Sequence, residues 1–116
     1  MGYRMSNESQ TETPHFLDDA YVIDDPPAVE AYIEDNGLRN LLIQAREPLD
    51  AAFGKDPAKK LTLAEDDEGV RTLCCVVLVP GDLRQAYMAL KSFDERWWLA
   101  HARHWSGKLS FDFELV

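Results

Sequence analysis

"VRTLCCVVLVP", residues 70–80, contains a continuous run of apolar residues that predicts the centre of a sheet. Every residue from Leu73 to Val79 is apolar, and Pro80-Gly81 follows at once. A run that is apolar on both faces is typical of a strand in the centre of a sheet, and a Pro-Gly pair ends such a strand. We therefore expect this strand to have a neighbouring strand on each side.

The segments on either side of the central strand supply those neighbours. "LTLAE" (61–65) alternates between apolar and polar residues, and "DDEG" (66–69) is a hairpin turn signal. After the central strand, apolar residues recur every three or four positions up to Ser106-Gly107, which predicts one long helix with a buried stripe. The positions of that stripe are Leu83, Ala86, Tyr87, Leu90, Phe93, Trp97 and Ala100. The last stretch, 109–115, alternates strictly and predicts a final strand with one buried face.

Two helices are predicted in the N-terminal half. Asp25 followed by Pro26 is a helix start signal, and Gly37 is a helix stop. A second apolar stripe runs from Leu38 to the glycine at 54, and Pro48 within it predicts a kink or a restart. Residues 55–60, "KDPAKK", are expected to form a loop.

These elements predict an α+β fold with the order α-α-β-β-α-β. The sheet is expected to be mixed and three-stranded, a hairpin followed by a right-handed βαβ unit. The strand order 1-2-3 places the apolar strand in the middle, and the alternative places the first strand there. Residues 1–14 are polar and predict a disordered tail, so that 15–116 form a single α+β domain. Residues 21–23 are expected to be a short extended lead-in or an apolar strap across the core.

Charge and cysteine content narrow the possible partners and the compartment. Twelve Lys and Arg against 21 Asp and Glu give a formal net charge of −9. Such an acidic chain is not expected to bind nucleic acid or an anionic membrane, because phosphates require a basic face. The two cysteines, Cys74 and Cys75, are adjacent in a strand and point to opposite faces, which disfavours a disulfide. Together with the lack of an apolar N-terminal segment, this predicts a cytoplasmic protein.

The stretch 93–108, "FDERWWLAHARHWSGK", holds all three tryptophans. Its helical periodicity makes it a packing element first. Tryptophan and arginine left over after the core is filled are typical of contact sites between proteins, and large aromatics are seldom fully buried. The predicted interface residues are Trp98, Trp105, Arg96 and Arg103.

A catalytic or metal site has weaker support. His101 and His104 share a helix face and are the candidate metal ligands, but two ligands rarely make a zinc site, and cations near a helix end also complement its dipole. Cys74 and Cys75 lie within an apolar run and are expected to fill the core. The chain has no nucleophile elbow and no phosphate-binding glycine motif. We therefore predict no catalytic residue, no metal and no cofactor.

The C-terminal half resembles a known group of proteins. Phe93-Asp94-Glu95-x-Trp97-Trp98 followed by Gly107-Lys108-Leu109 and an alternating acidic strand is similar to the pattern of an uncharacterised family of short bacterial, often cyanobacterial, proteins. The resemblance implies a helix, a Gly-Lys-Leu connection and a final strand. It brings no activity, cofactor or site residue, and the "HARHW" segment departs from the family's pattern.

Two functional hypotheses follow. The first is a non-enzymatic cytosolic interaction or regulatory module, which self-associates or binds a basic protein partner. It depends on the charge of −9, the surplus aromatics and the lack of a catalytic pattern. The alternative is a small metal-dependent hydrolase or nuclease-like enzyme that uses His101, His104 and nearby acids.

Overall fold

The protein folds as helices packed against one face of a mixed sheet, in a computed structural model that describes residues 21–116. The predicted tail, 1–14, and the start of the predicted domain lie outside the described residues. The elements in chain order are β1 (Val22–Ile23), α1 (Pro26–Asn36), α2 (Arg39–Phe53), β2 (Ala58–Glu65), β3 (Arg71–Val79), α3 (Leu83–Phe93), a π-helical turn (Asp94–Trp98), α4 (Leu99–Trp105) and β4 (Leu109–Leu115).

Within residues 21–116, the sheet has four strands in the spatial order β1-β2-β3-β4. β2 and β3 form the predicted antiparallel hairpin, and β3 and β4 are parallel and joined through α3, as the βαβ prediction requires. The apolar strand β3 lies between two neighbours. The α+β class and the relative order of the three predicted strands are therefore confirmed.

The prediction of a three-stranded sheet was wrong. Val22 and Ile23 pair in parallel with Lys60 and Leu61 and add β1 at the edge. A strand of two residues is too short to show alternation, so the sequence pattern could not distinguish it from a lead-in. The loop predicted over 55–60 was also too long, because β2 begins at Ala58.

The first two helices begin and end close to the predicted signals. Asp25 precedes α1 in the left-handed conformation (φ 49°), but its side chain makes no capping hydrogen bond, and Pro26 and Pro27 have no N–H to supply one. Gly37 ends α1 in the left-handed conformation that a glycine adopts without strain. α2 continues through Pro48 as one helix, so the predicted restart does not occur.

The predicted long helix contains an expanded turn. The backbone N–H of Leu99 donates to the carbonyl of Asp94, five residues back, so the chain makes a π-helical turn between α3 and α4. The prediction of one buried stripe was also wrong. Ala86 and Phe93 are buried, but Leu83 and Tyr87 are 62% and 58% exposed. The turn shifts the register of every side chain that follows it.

The core lies between the helices and alternate residues of the strands. Leu61, Leu73, Cys75, Val77 and Leu109 are fully or almost fully buried on this face. They pack in one cluster with the buried residues of the first two helices, which are Val29, Tyr32, Ile33, Leu41, Leu42, Ala45 and Leu49. In residues 21–116, no helix is long and apolar enough to cross a membrane.

Candidate functional site

The tryptophan-rich stretch forms an aromatic cluster around Phe111 of β4. The ring centroids of Phe93 and Trp98 lie 4.8 and 4.9 Å from that of Phe111, both in edge-to-face geometry. Trp97 lies 6.2 Å from the same ring. In a regular α-helix Trp97 and Trp98 are 100° apart, and the expanded turn lets both contact one side chain. The stretch therefore acts first as a packing element, as its periodicity predicts.

The structure does not bring the four predicted interface residues together on one exposed face. Trp98 and Trp105 are half-buried and pack against the core. Arg96 lines a crevice of about 340 Å³ between α2 and the π-helical turn, and Arg103 is exposed on α4. Their role in an interface stays a prediction.

His101 and His104 have no third metal ligand beside them among residues 21–116. His101 stacks on Trp97 at 4.3 Å, and its Nδ1 lies 2.9 Å from the carbonyl oxygen of Trp97. Because a carbonyl only accepts, this contact fixes Nδ1 as the donor. His104 is exposed. Across the described range 21–116, no three His, Cys, Asp or Glu residues are grouped so that they could hold a metal ion.

The two cysteines lie on opposite faces of β3. Cys75 is buried in the core, and burial raises the pKa of its thiol to about 12. A thiol that stays protonated is a poor nucleophile, so Cys75 fills space as the sequence predicts. Cys74, on the other face, is half-buried and accepts a weak contact from the hydroxyl of Ser110 at 3.4 Å.

The outer edge of β4 carries backbone groups that point away from the sheet. The N–H of Leu73 donates to the carbonyl of Lys108, and the N–H of Val116 donates to the carbonyl of Val79. The backbone N–H and C=O groups of the even-numbered residues of β4 therefore point toward β3, because a residue in a parallel ladder directs both of these groups to the same side. The odd-numbered residues, Phe111, Phe113 and Leu115 among them, direct theirs outward. Of the strands within 21–116, none pairs with this edge.

Exposed apolar residues lie along the side of α3 above this edge. Ser92 lines the crevice toward α2, and Leu83, nine residues earlier, is on the opposite side of the helix at 100° per residue. Tyr87 follows Leu83 by one turn. Leu115, at the end of β4 on the helix-facing side, is 41% exposed. We call Leu83, Tyr87 and Leu115 the β4-side surface.

Carboxylates occur on both sides of the same edge. Burial raises the pKa of Asp94, in the π-helical turn, and the neighbouring carboxylates of Asp112 and Glu95 raise it further. Asp112 bends to the outer edge, where its Oδ1 accepts the N–H of Phe113 at 2.8 Å. Glu114 follows Asp112 on the open face of the sheet, where its carboxylate lies 3.9 Å from the ammonium of Lys60. The edge is therefore acidic, and no strand within residues 21–116 pairs with it.

A second feature is a cleft of about 790 Å³ between α2 and the start of β2. The Lys59 side chain, 6% exposed, places its ammonium 2.8 Å from Asp50 at the wall of this cleft. The phenol of Tyr21 donates to the carbonyl of Leu42 at 2.6 Å, and burial raises the pKa of that phenol. The remaining charged residues of the wall are Arg46, Glu47, Lys55 and Asp56, so acids and bases are equal in number and no ligand charge is favoured.

Sequence reasoning missed both the buried ion pair and the β4-side surface. A signal for Lys59 was present, because it shares the parity of Leu61 and Leu63 and so belongs to the buried face of β2. Exposure of Leu83 and Tyr87 had no signal in the sequence, since their spacing matches that of a buried stripe.

Comparison with models of known protein families, with curated proteins and with solved structures found no match to this chain.

Proposed function

We propose that the chain is a protein-interaction module that binds a partner through the β4-side surface. The observation that carries the proposal is the exposure of Leu83 and Tyr87 on the side of α3 opposite α2, together with an edge of β4 with which no strand of residues 21–116 pairs. Single exposed apolar residues are common on protein surfaces, but apolar residues grouped at a free edge mark a contact site. Leu83 and Tyr87 belong to the same helix layer as the core, so a partner that covers them would extend the packing between the helices and the sheet.

Charge favours a different, basic protein over a second copy of the chain. The surface is bordered by Asp94 and Asp112, and the net charge is −9. Two copies joined at this edge would bring like charges together, which destabilises cross-strand contacts. A basic partner would place opposite charges there and gain in association rate as well.

Site-specific crosslinking tests the proposal. A photo-crosslinking amino acid replaces Tyr87 in one variant and Met88 in the control, in cells of the chain's own source. Met88 is a matched position, because it is 55% exposed on the same helix and lies on its other flank. We expect one protein to crosslink from position 87 and not from position 88.

The identified partner is then purified and its affinity measured by calorimetry. Leu83→Ser with Tyr87→Ser should weaken binding about tenfold or more, because the buried apolar area is lost, and Met88→Ser should leave it within about twofold. Equal affinity of the double variant and the wild type would show that the partner binds elsewhere. No crosslink at position 87 would equally remove the proposal.

A further inference from the structure

The outer edge of β4 has the geometry that accepts an additional strand. The outward N–H and C=O groups of Phe111, Phe113 and Leu115 form a ladder that continues the sheet, and main-chain pairing of this kind is a common mode of peptide recognition. We propose that β4 binds an extended partner segment in which basic and apolar residues alternate. This inference rests on the proposed function and specifies the mode of binding and the chemistry of the partner.

The alternation follows from the two sides of the edge. Side chains of an added strand point in turn toward the helix layer and toward the open face of the sheet. On the helix side they would meet Leu83, Tyr87 and Leu115, which fit apolar residues. On the open face they would lie beside Asp112, which fits Lys or Arg. A segment with apolar residues on one side and basic residues on the other matches both.

Asp112 gives the edge its selectivity. In the free protein its carboxylate accepts the outward N–H of Phe113, so this donor is occupied before a partner arrives. A lysine or arginine of the partner strand attracts the carboxylate to the open face and leaves the N–H for a partner carbonyl. A neutral or acidic partner strand does not attract the carboxylate of Asp112, so the N–H of Phe113 stays occupied. Charged side chains on edge strands protect them against unwanted pairing, and here the same charge admits a basic strand.

The experiment uses the full chain and a defined probe. The probe is a blocked peptide of alternating Lys and Val, as long as β4. One control peptide has the same composition with all lysines at one end, and another alternates Glu and Val. Titrations followed by ¹⁵N NMR should give saturable binding of the alternating Lys–Val peptide alone, with the largest shifts and new hydrogen-exchange protection at Phe111, Phe113 and Leu115.

Two matched variants separate backbone pairing from side-chain contact. Leu115→Pro and Leu115→Ala both remove the leucine side chain, but only proline removes the outward N–H, and edge strands accept proline where that N–H faces solvent. We expect the dissociation constant of Leu115→Pro to exceed that of Leu115→Ala by about tenfold, as for the loss of a buried hydrogen bond at an interface. Asp112→Asn should also weaken binding and reduce its dependence on salt.

Each outcome decides between the two proposals. If the peptide binds and Leu115→Pro equals Leu115→Ala, strand addition is wrong and docking on Leu83 and Tyr87 remains. If the Lys–Val peptide does not bind at about 1 mM, or if the Glu–Val peptide binds equally well, the basic-strand inference is overturned, since such weak or unselective binding cannot support recognition. Asp112 would then serve only to protect the edge. The crosslinking test of the β4-side surface is independent of all these results.

Discussion

The two flanks of the helix layer have the same apolar periodicity in sequence and different burial in the structure. On the inner flank, Ile33, Leu42 and Leu49 of α1 and α2 are completely buried. On the outer flank, Leu83 and Tyr87 of α3 are more than half exposed, because they lie on the side of α3 opposite α2 and β4 is the last strand of the sheet within residues 21–116. Periodicity therefore identifies the apolar side of a helix, and the number of strands beneath decides how much of that side is buried.

The test with the largest expected effect compares two leucine-to-alanine substitutions, one on each flank. Leu42→Ala should lower the free energy of unfolding by about 2–5 kcal/mol, as for a core cavity, and Leu83→Ala by less than about 0.5 kcal/mol. Urea denaturation followed by circular dichroism measures both. Similar losses at the two positions would mean that α3 is packed as tightly as α2, and the β4-side surface would not exist.

A second test compares the ion pairs of the two flanks. Asp50→Asn should cost about 2–3 kcal/mol, because it leaves the buried ammonium of Lys59 without its counter-charge, although Asp50 keeps some contact with solvent. The matched change on the outer flank is Glu114→Gln, which breaks the exposed pair with Lys60 and should cost less than about 0.5 kcal/mol. The same urea measurements apply. A loss below 0.5 kcal/mol for Asp50→Asn would show that water reaches Lys59.

Much of the inner architecture could be predicted from the sequence. The apolar run 73–79 allowed only a central strand, and Gly37 and Gly54 marked the ends of the two helices. These features are local, so each is determined by the chemistry of a short segment. The antiparallel hairpin followed from element order, and the parallel β3–β4 pair belongs to the strand order 1-2-3, which was one of two orders that the sequence left open.

What the sequence did not predict depends on contacts between distant segments. Val22–Ile23 becomes a strand only because Lys60 and Leu61 lie beside it. Lys59 is buried because Asp50, on another element, neutralises it. The π-helical turn at Asp94–Trp98 brings two adjacent tryptophans onto Phe111, a residue of a distant segment. The candidate site belongs to this second group, since an edge is defined only by which strand is last.

The smallest expected effect concerns the acids of the outer flank. The pKa of Asp94 is raised in the folded protein by burial and by the carboxylates of Asp112 and Glu95, so the folded state binds this proton more tightly than the unfolded state does. Stability must then fall as the pH rises from the ordinary range of an aspartate through the raised folded value, and the loss persists at neutral pH.

Asp94→Asn removes the charge of this side chain at similar shape. It should increase the free energy of unfolding at pH 7 by about 0.5 kcal/mol or less, and it should have no effect near pH 3, where both proteins are uncharged at this position. Thermal or urea unfolding at the two pH values measures the difference, and the acidic sample is the internal control. An increase that is equal at both pH values would assign the effect to packing, and a decrease at pH 7 would mean that Asp94 is stabilised as the carboxylate. The acids of the outer flank would then be satisfied within the chain, and the argument that they await a basic partner would lose its physical basis.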